Sequence, residues 1–155
     1  MQIEPARAAD IPAIAALWHA GWHQGHAAVV PAALVACRVP EEFAARSAER
    51  LSQTYVARGA DGLMGFFMVE GDELYQFYVA AASQGQGVAA RMMAAAETAL
   101  AGRRAWLACS IGNDRAAAFY AKAGWLKGPV QIYPTETAQG TCDVSVWRFE
   151  KDLRG

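Results

Sequence analysis

The stretch Leu74-Tyr75-Gln76-Phe77-Tyr78-Val79 is followed, after small residues only, by Gln84-Gly85-Gln86-Gly87-Val88-Ala89. The first part reads as a strand rich in aromatic side chains. The second reads as a glycine loop opening an alanine-rich helix over residues 87–100. A loop that leaves a strand and enters a helix presents backbone N–H groups with no partner in the helix, and the helix dipole adds positive potential there. A phosphate fits such a place. Gly85 and Gly87 lack the Cβ atoms that would hold phosphate oxygens away, Ala89 and Ala90 keep the first turn thin, and Gln84 can donate an amide hydrogen.

The same residues satisfy the loose dinucleotide pattern Gly85-x-Gly87-x-x-Ala90. Two features oppose that reading. The preceding strand belongs to a hairpin meander, because residues 54–57, 63–69 and 73–79 read as strands joined by turns at Asp61-Gly62 and Glu70-Gly71-Asp72. The next strand, residues 104–109, opens on Arg103-Arg104 rather than ending on an acidic residue able to bind a ribose.

Further outward, residues 2–4 read as a first strand. Asp10 is placed as the N-cap of a helix that carries Pro12 in its first turn and runs to about Trp22. A loop with Gly21, Gly25 and three histidines is expected next, then short helices starting at Pro31 and at Pro40, the latter running to about Leu51. Residues 113–123 read as a helix capped by Asn113 and closed by Gly124 in the left-handed position. Residues 126–133 and 142–149 read as two last strands, joined by a polar loop over 134–141. This order is an α/β arrangement on a mixed sheet.

The chain of 155 residues has the size of one domain, with a net charge of −1 that offers no general attraction to nucleic acid. No apolar run is long enough for a membrane span, and the N-terminus shows no basic-then-apolar pattern, so a cytoplasmic location is the expectation. Cys37, Cys109 and Cys142 fit neither a zinc spacing nor a disulfide framework and read as reduced, mostly buried thiols. His19 and His23 stand at helical spacing, but no third ligand accompanies them, so no metal is expected.

The glycine segment gains meaning from a second one, Asn113-Asp114-Arg115-Ala116-Ala117-Ala118-Phe119-Tyr120-Ala121-Lys122-Ala123-Gly124-Trp125. Together they resemble the GNAT superfamily of acetyl-CoA-dependent N-acetyltransferases. That family's Gln/Arg-x-x-Gly-x-Gly/Ala motif is matched by Gln84, Gly87 and Ala89. Its later Asn…Tyr…Gly-aromatic motif is matched by Asn113, Tyr120 and Gly124-Trp125. The resemblance covers nearly the whole chain, most closely residues 63–125. It implies one domain over residues 1–155, built on a mixed, mostly antiparallel sheet of about six or seven strands with helices on both faces.

By the same resemblance, acetyl-CoA is the co-substrate, without a metal. Backbone groups of Gly85, Gln86, Gly87, Val88 and Ala89, with Gln84, would hold its pyrophosphate. Phe77, Tyr78 and Val79 would line its pantetheine arm between two splayed strands, and Asn113 would contact the arm or cap the helix beside it. Tyr120 would protonate the leaving thiolate, a role that needs a phenol carrying its proton at neutral pH. Glu73 stands at the register where histone-acetylating members carry a base; a histidine or a water chain remains the alternative. Ribosomal-protein-acetylating members often carry a glutamate twelve residues before the tyrosine, where this chain has Ala108.

The acceptor is expected to be a small primary amine held by Trp22, His23 and Glu73, in a region also containing Trp18, His19, His26, Tyr133 and Trp147. A protein or peptide amine, or a CoA-binding module without turnover, are the alternatives. Family members are often dimers, so the last strands or an apolar helix face would supply a homodimer contact.

Overall fold

A computed structural model describes residues 1–155. Its strands are β1 (Gln2–Pro5), β2 (Thr54–Gly59), β3 (Gly62–Glu70), β4 (Glu73–Val79), β5 (Arg104–Ser110), β6 (Leu126–Thr137) and β7 (Gly140–Asp152). Its helices are α1 (Ile11–His26), α2 (Ala32–Cys37), α3 (Pro40–Glu49), α4 (Val88–Ala99) and α5 (Asp114–Lys122). The strands form one mixed sheet in the order β1-β2-β3-β4-β5-β7-β6, antiparallel everywhere except between β4 and β5.

Alternating side chains give the sheet two apolar faces. Val56, Phe66, Met68, Val144 and Val146 point to one face, where Ile14, Trp18 and Trp22 of α1, Leu34 of α2 and Phe43 of α3 cover them. Ala57, Phe67, Leu107 and Phe149 point to the other, against Met92, Met93, Ala96 and Leu100 at α4. Adjacent residues such as Phe66 and Phe67 thus serve two separate cores.

Two irregularities open the middle of the sheet. The first is the parallel junction: β4 and β5 pair only at Glu73 and Trp106, supported by the Trp106 N–H on the Asp72 carbonyl at 3.0 Å. Past that point the strands diverge, and the edge of β4 toward β5 is free. The second is a β-bulge. Met68 faces Gln76 and Val69 faces Leu74, so Tyr75 has no partner on β3. A bulge re-aims the side chains around it. Here it leaves Tyr75 and Tyr78 packed on the α1–α3 face while Leu74, Phe77 and Val79 pack on the α4–α5 face.

Several boundaries depart from the sequence reading. Helix α1 does not stop at Trp22 but continues to His26 through Gly21 and Gly25. Glycine weakens a helix by roughly 1 kcal/mol against alanine, yet a Cβ on Gly21 would lie 2.5 Å from Cδ1 of Tyr78, and one on Gly25 3.2 Å from the Asn113 amide nitrogen. The two glycines let the helix lie against the cleft, and that packing outweighs propensity. The polar 134–141 segment is mostly strand, since Pro134, Thr135, Glu136 and Thr137 pair with residues of β7. Pro134 is tolerated because β6 is the sheet's edge.

Neither expected capping side chain acts as a cap to its own helix. Asp10 instead accepts the Arg7 backbone N–H at 2.9 Å and a two-pronged bond from Arg58, which holds its carboxyl below the usual range. Of the three cysteines, only Cys109 is buried.

Candidate active site

One cleft of about 1260 Å³ runs along the splayed strands. At one end lies the glycine loop. Gly85 and Gly87 have φ of +78° and +77°, a region L side chains rarely adopt, and a Cβ on either would project into open space. The first backbone bond of α4 runs from the Arg91 N–H to the Gly87 carbonyl; the amides of residues 85–90 make none within the protein. Six consecutive unpaired donors at a helix N-terminus, on a loop stripped of Cβ atoms, form a nest for an anion. Gln84, Gly85, Gly87, Val88 and Ala89 all line the cleft, whereas the Gln86 side chain turns back to the Ala82 carbonyl at 3.1 Å.

Arg115 was missed at the sequence level. It stands in the first turn of α5, lines the cleft, and donates to the Gln84 Oε1 at 2.9 Å. The bond orients Gln84 so that its amide N–H₂ is left to donate elsewhere, and it adds a cation beside the loop. Only the adjacency of Asn113-Asp114-Arg115 to the α5 start hinted at this, and that is too common a pattern to read.

The middle of the cleft is walled by Phe77, Tyr78 and Val79 of β4 and by Asn113 and Tyr120. The Phe77 ring stacks on Phe119, and Tyr120 packs against Phe119 and Phe149. Burial, then the neighbouring Cys109 and Tyr78, push the Tyr120 phenol well above its ordinary range, and its hydroxyl has no hydrogen bond in the protein. Burial likewise raises Tyr78, and it pushes the Cys109 thiol up to about 11. All three groups therefore keep their protons at neutral pH.

At the far end stands Glu73. Its Oε2 accepts the Tyr133 hydroxyl at 2.9 Å, a contact supplied by β6 across the sheet. Burial pushes its carboxyl up to about 7, against the opposing pull of that hydrogen bond. A carboxyl that titrates near neutrality is suited to accept a proton. The same cleft is lined by Trp22 and His26 of α1, Leu34 of α2, Arg38 at its end, Arg46 of α3, and Tyr75 of the bulge.

Each of the three histidines has a partner in the fold, His19 meeting the Phe43 ring edge-on with centroids 5.5 Å apart. His26 stacks on Trp22 with centroids 5.3 Å apart and donates Nδ1–H to the Trp22 carbonyl; burial lowers it to about 4. His23 donates Nε2–H to the Arg38 carbonyl at 2.8 Å and does not line the cleft. Its ring ties α1 to the end of α2. Trp22 is both a core residue and part of the wall. The structure thus gathers Trp22, Glu73, Phe77–Val79, the glycine loop, Asn113 and Tyr120 around one cleft and leaves His23 and Gln86 outside it.

The sequence model of the Acetyltransferase (GNAT) family matches residues 32–125. No curated protein matches the chain. Among solved structures, the GCN5-related N-acetyltransferase of Rhodopseudomonas palustris is 22% identical, with a TM-score of 0.71 over 97% of this chain and 95% of that one. An N-acetyltransferase of Staphylococcus aureus Mu50 is 15% identical, with a TM-score of 0.70 over 97% and 100%. A ribosomal-protein-alanine N-acetyltransferase of Brucella melitensis is 17% identical, with a TM-score of 0.69 over 99% and 100%.

Proposed function

Because the chain belongs to the GNAT acetyltransferase family, we propose that it transfers an acetyl group from acetyl-CoA to the primary amine of a small molecule. The observation that carries this reading is the continuity of one cleft from six free backbone amides, past Tyr120, to Glu73. The amides of residues 85–90, with Gln84 and Arg115, would hold the pyrophosphate. The free edge of β4 would receive the amides of the pantetheine arm, which supplies the thioester.

An ammonium has no lone pair, so the amine must first lose a proton, and Glu73 takes it. The amine nitrogen attacks the thioester carbonyl, the C–N bond forms, and the C–S bond breaks. Tyr120, kept neutral by burial, donates its hydrogen to the departing sulfur, and the nitrogen gives up its second proton, which restores the phenol as the neutral amide forms. Direct attack is favoured over an acetyl-cysteine intermediate because the Cys109 thiol keeps its proton, and a thiol is a poor nucleophile. A small acceptor is favoured because α1, α2, α3 and the β6–β7 hairpin all supply walls to the cleft that holds Glu73.

The test is thermal stability with and without acetyl-CoA, followed by CoA release over a panel of amines. A ligand selective for the native state raises the melting temperature, and at least one amine should release CoA. No shift at millimolar acetyl-CoA would sink the donor assignment. Intact mass after incubation with acetyl-CoA alone should show no acetyl-enzyme; a single acetyl adduct on Cys109 would overturn direct attack.

A further inference from the structure

The cleft wall beside Tyr75 of β4 holds more buried guanidinium charge than buried carboxylate charge. Arg38 is 2% exposed and Arg46 6%; both line the cleft, and both share one buried carboxylate, Glu42, at 8%. Arg38 Nη1 donates to Glu42 Oε1. Arg46 Nη1 stands 3.7 Å from the same oxygen, beyond hydrogen-bond reach. Two guanidiniums against one carboxylate leave a positive charge unbalanced.

The donors are uneven as well. Nε of Arg38 and both Nε and Nη1 of Arg46 are buried without an acceptor, three unmatched donors against one unmatched acceptor, Glu42 Oε2. Arg46 finds one hydrogen-bond partner, the Tyr75 hydroxyl at 2.8 Å, and its guanidinium lies 4.3 Å from the Trp18 ring centroid. The other charges nearby do not restore the balance. Arg50 has its own carboxylates, Glu49, Glu70 and Glu136, all exposed and screened by solvent. Glu73 is held by Tyr133. A buried charge without a counter-ion is costly, and a fold that keeps one at the wall of a cleft keeps it for a ligand.

We infer that the acceptor amine also carries a carboxylate, which docks on Arg38 and Arg46 while the amine faces Glu73. The amine's fate rests on the acetyl-transfer reading; the anion site does not. A guanidinium fork matches a carboxylate in geometry and charge. Tyr75, whose hydroxyl meets Arg46, stands two residues from Glu73 on β4, and both residues line the same cleft.

The test offers amines in matched sets: glycine, β-alanine and α-amino acids, each beside its amide and its decarboxylated amine. Binding is read from tryptophan fluorescence and melting temperature, and turnover from CoA release. The acid should bind at least ~10-fold more tightly than its amide, and Arg46→Met should erase that preference, raising KM more than it lowers kcat. Arg46→Met leaves one arginine to Glu42, so it should melt no lower than the wild type. Arg38→Gln gives a second reading of the same preference.

Equal binding of acid and amide, binding of neither, or an acid preference that survives both substitutions would overturn the anion site. Acid-selective binding without turnover would keep the site and sink the acetyl-transfer reading. Turnover of amides and acids alike would do the reverse.

Discussion

The two ends of the cleft are built by different means. The glycine-loop end uses backbone: amides of six consecutive residues, unpaired because a helix begins there, on a loop whose glycines adopt positive φ. The Glu73 end uses side chains brought from five separate elements, with Arg46, Tyr75 and Tyr133 meeting across long sequence separations. Under the proposed function, the backbone site would bind the donor that every turnover shares. A side-chain site can be changed one residue at a time, and it is where acceptor choice would reside. The difference also shows in chemistry, since the backbone end offers amides and the Arg115 cation while the other carries a carboxyl poised near 7.

The sharpest way to break this comparison is at the hinge between the ends. Tyr120→Phe should lower kcat by ~10²-fold or more while leaving acetyl-CoA affinity unchanged; unchanged turnover would remove the phenol from proton donation. Glu73→Gln should cost ~10- to 10²-fold and flatten the pH profile, whose acid limb in kcat/KM is expected near pH 7 in the wild type. A limb that survives the substitution would assign the base elsewhere. At the backbone end, Gly87→Val should weaken acetyl-CoA binding by at least ~10-fold in a calorimetric titration, because a β-branched residue is strained at positive φ and would shift the loop that carries the free amides. Its effect on the amine KM should be small.

Smaller effects should appear in stability. Glu73 is raised in the fold from 4.5 to about 7, so its stabilising share is full below pH 4.5 and is lost as pH rises through 7. His26 is lowered from 6.5 to about 4, so its share is full above pH 6.5 and is lost as pH falls through 4. The two slopes oppose each other over nearly the same window. Glu73→Gln should therefore unmask a stability that rises with pH by ~1–2 kcal/mol, after allowing for screening at the open face. His26→Gln should unmask the opposite slope, and denaturant titrations at pH 5 and 7.5 would read both. Last, Gly21→Ala gains up to ~1 kcal/mol of helix propensity but drives a Cβ into the Tyr78 ring, a crowding that costs ~1–3 kcal/mol. A net loss of ~1 kcal/mol in the melting free energy is expected; a gain would mean the cleft wall yields.

What the sequence by itself determined is what is local. The strand, glycine loop and helix over residues 73–100, the closing glycine at 124, and the two-residue periodicity of the sheet follow from φ/ψ limits and burial of neighbouring residues. With Asn113 and Tyr120 they carry the family, which the match over residues 32–125 bears out. Tertiary structure alone decided the rest. The bulge at Tyr75 depends on register with β3, the hairpin of β6 and β7 depends on pairing that overrides polar composition, and α1 runs through two glycines because a ring and an amide lie against them. The excess charge of Arg38 and Arg46 over Glu42 was equally invisible, because burial belongs to the assembled fold and not to any stretch of sequence. Backbone chemistry is written in consecutive residues. Side-chain chemistry at a shared cavity is not, because its members meet only when the sheet and its helices have closed around them.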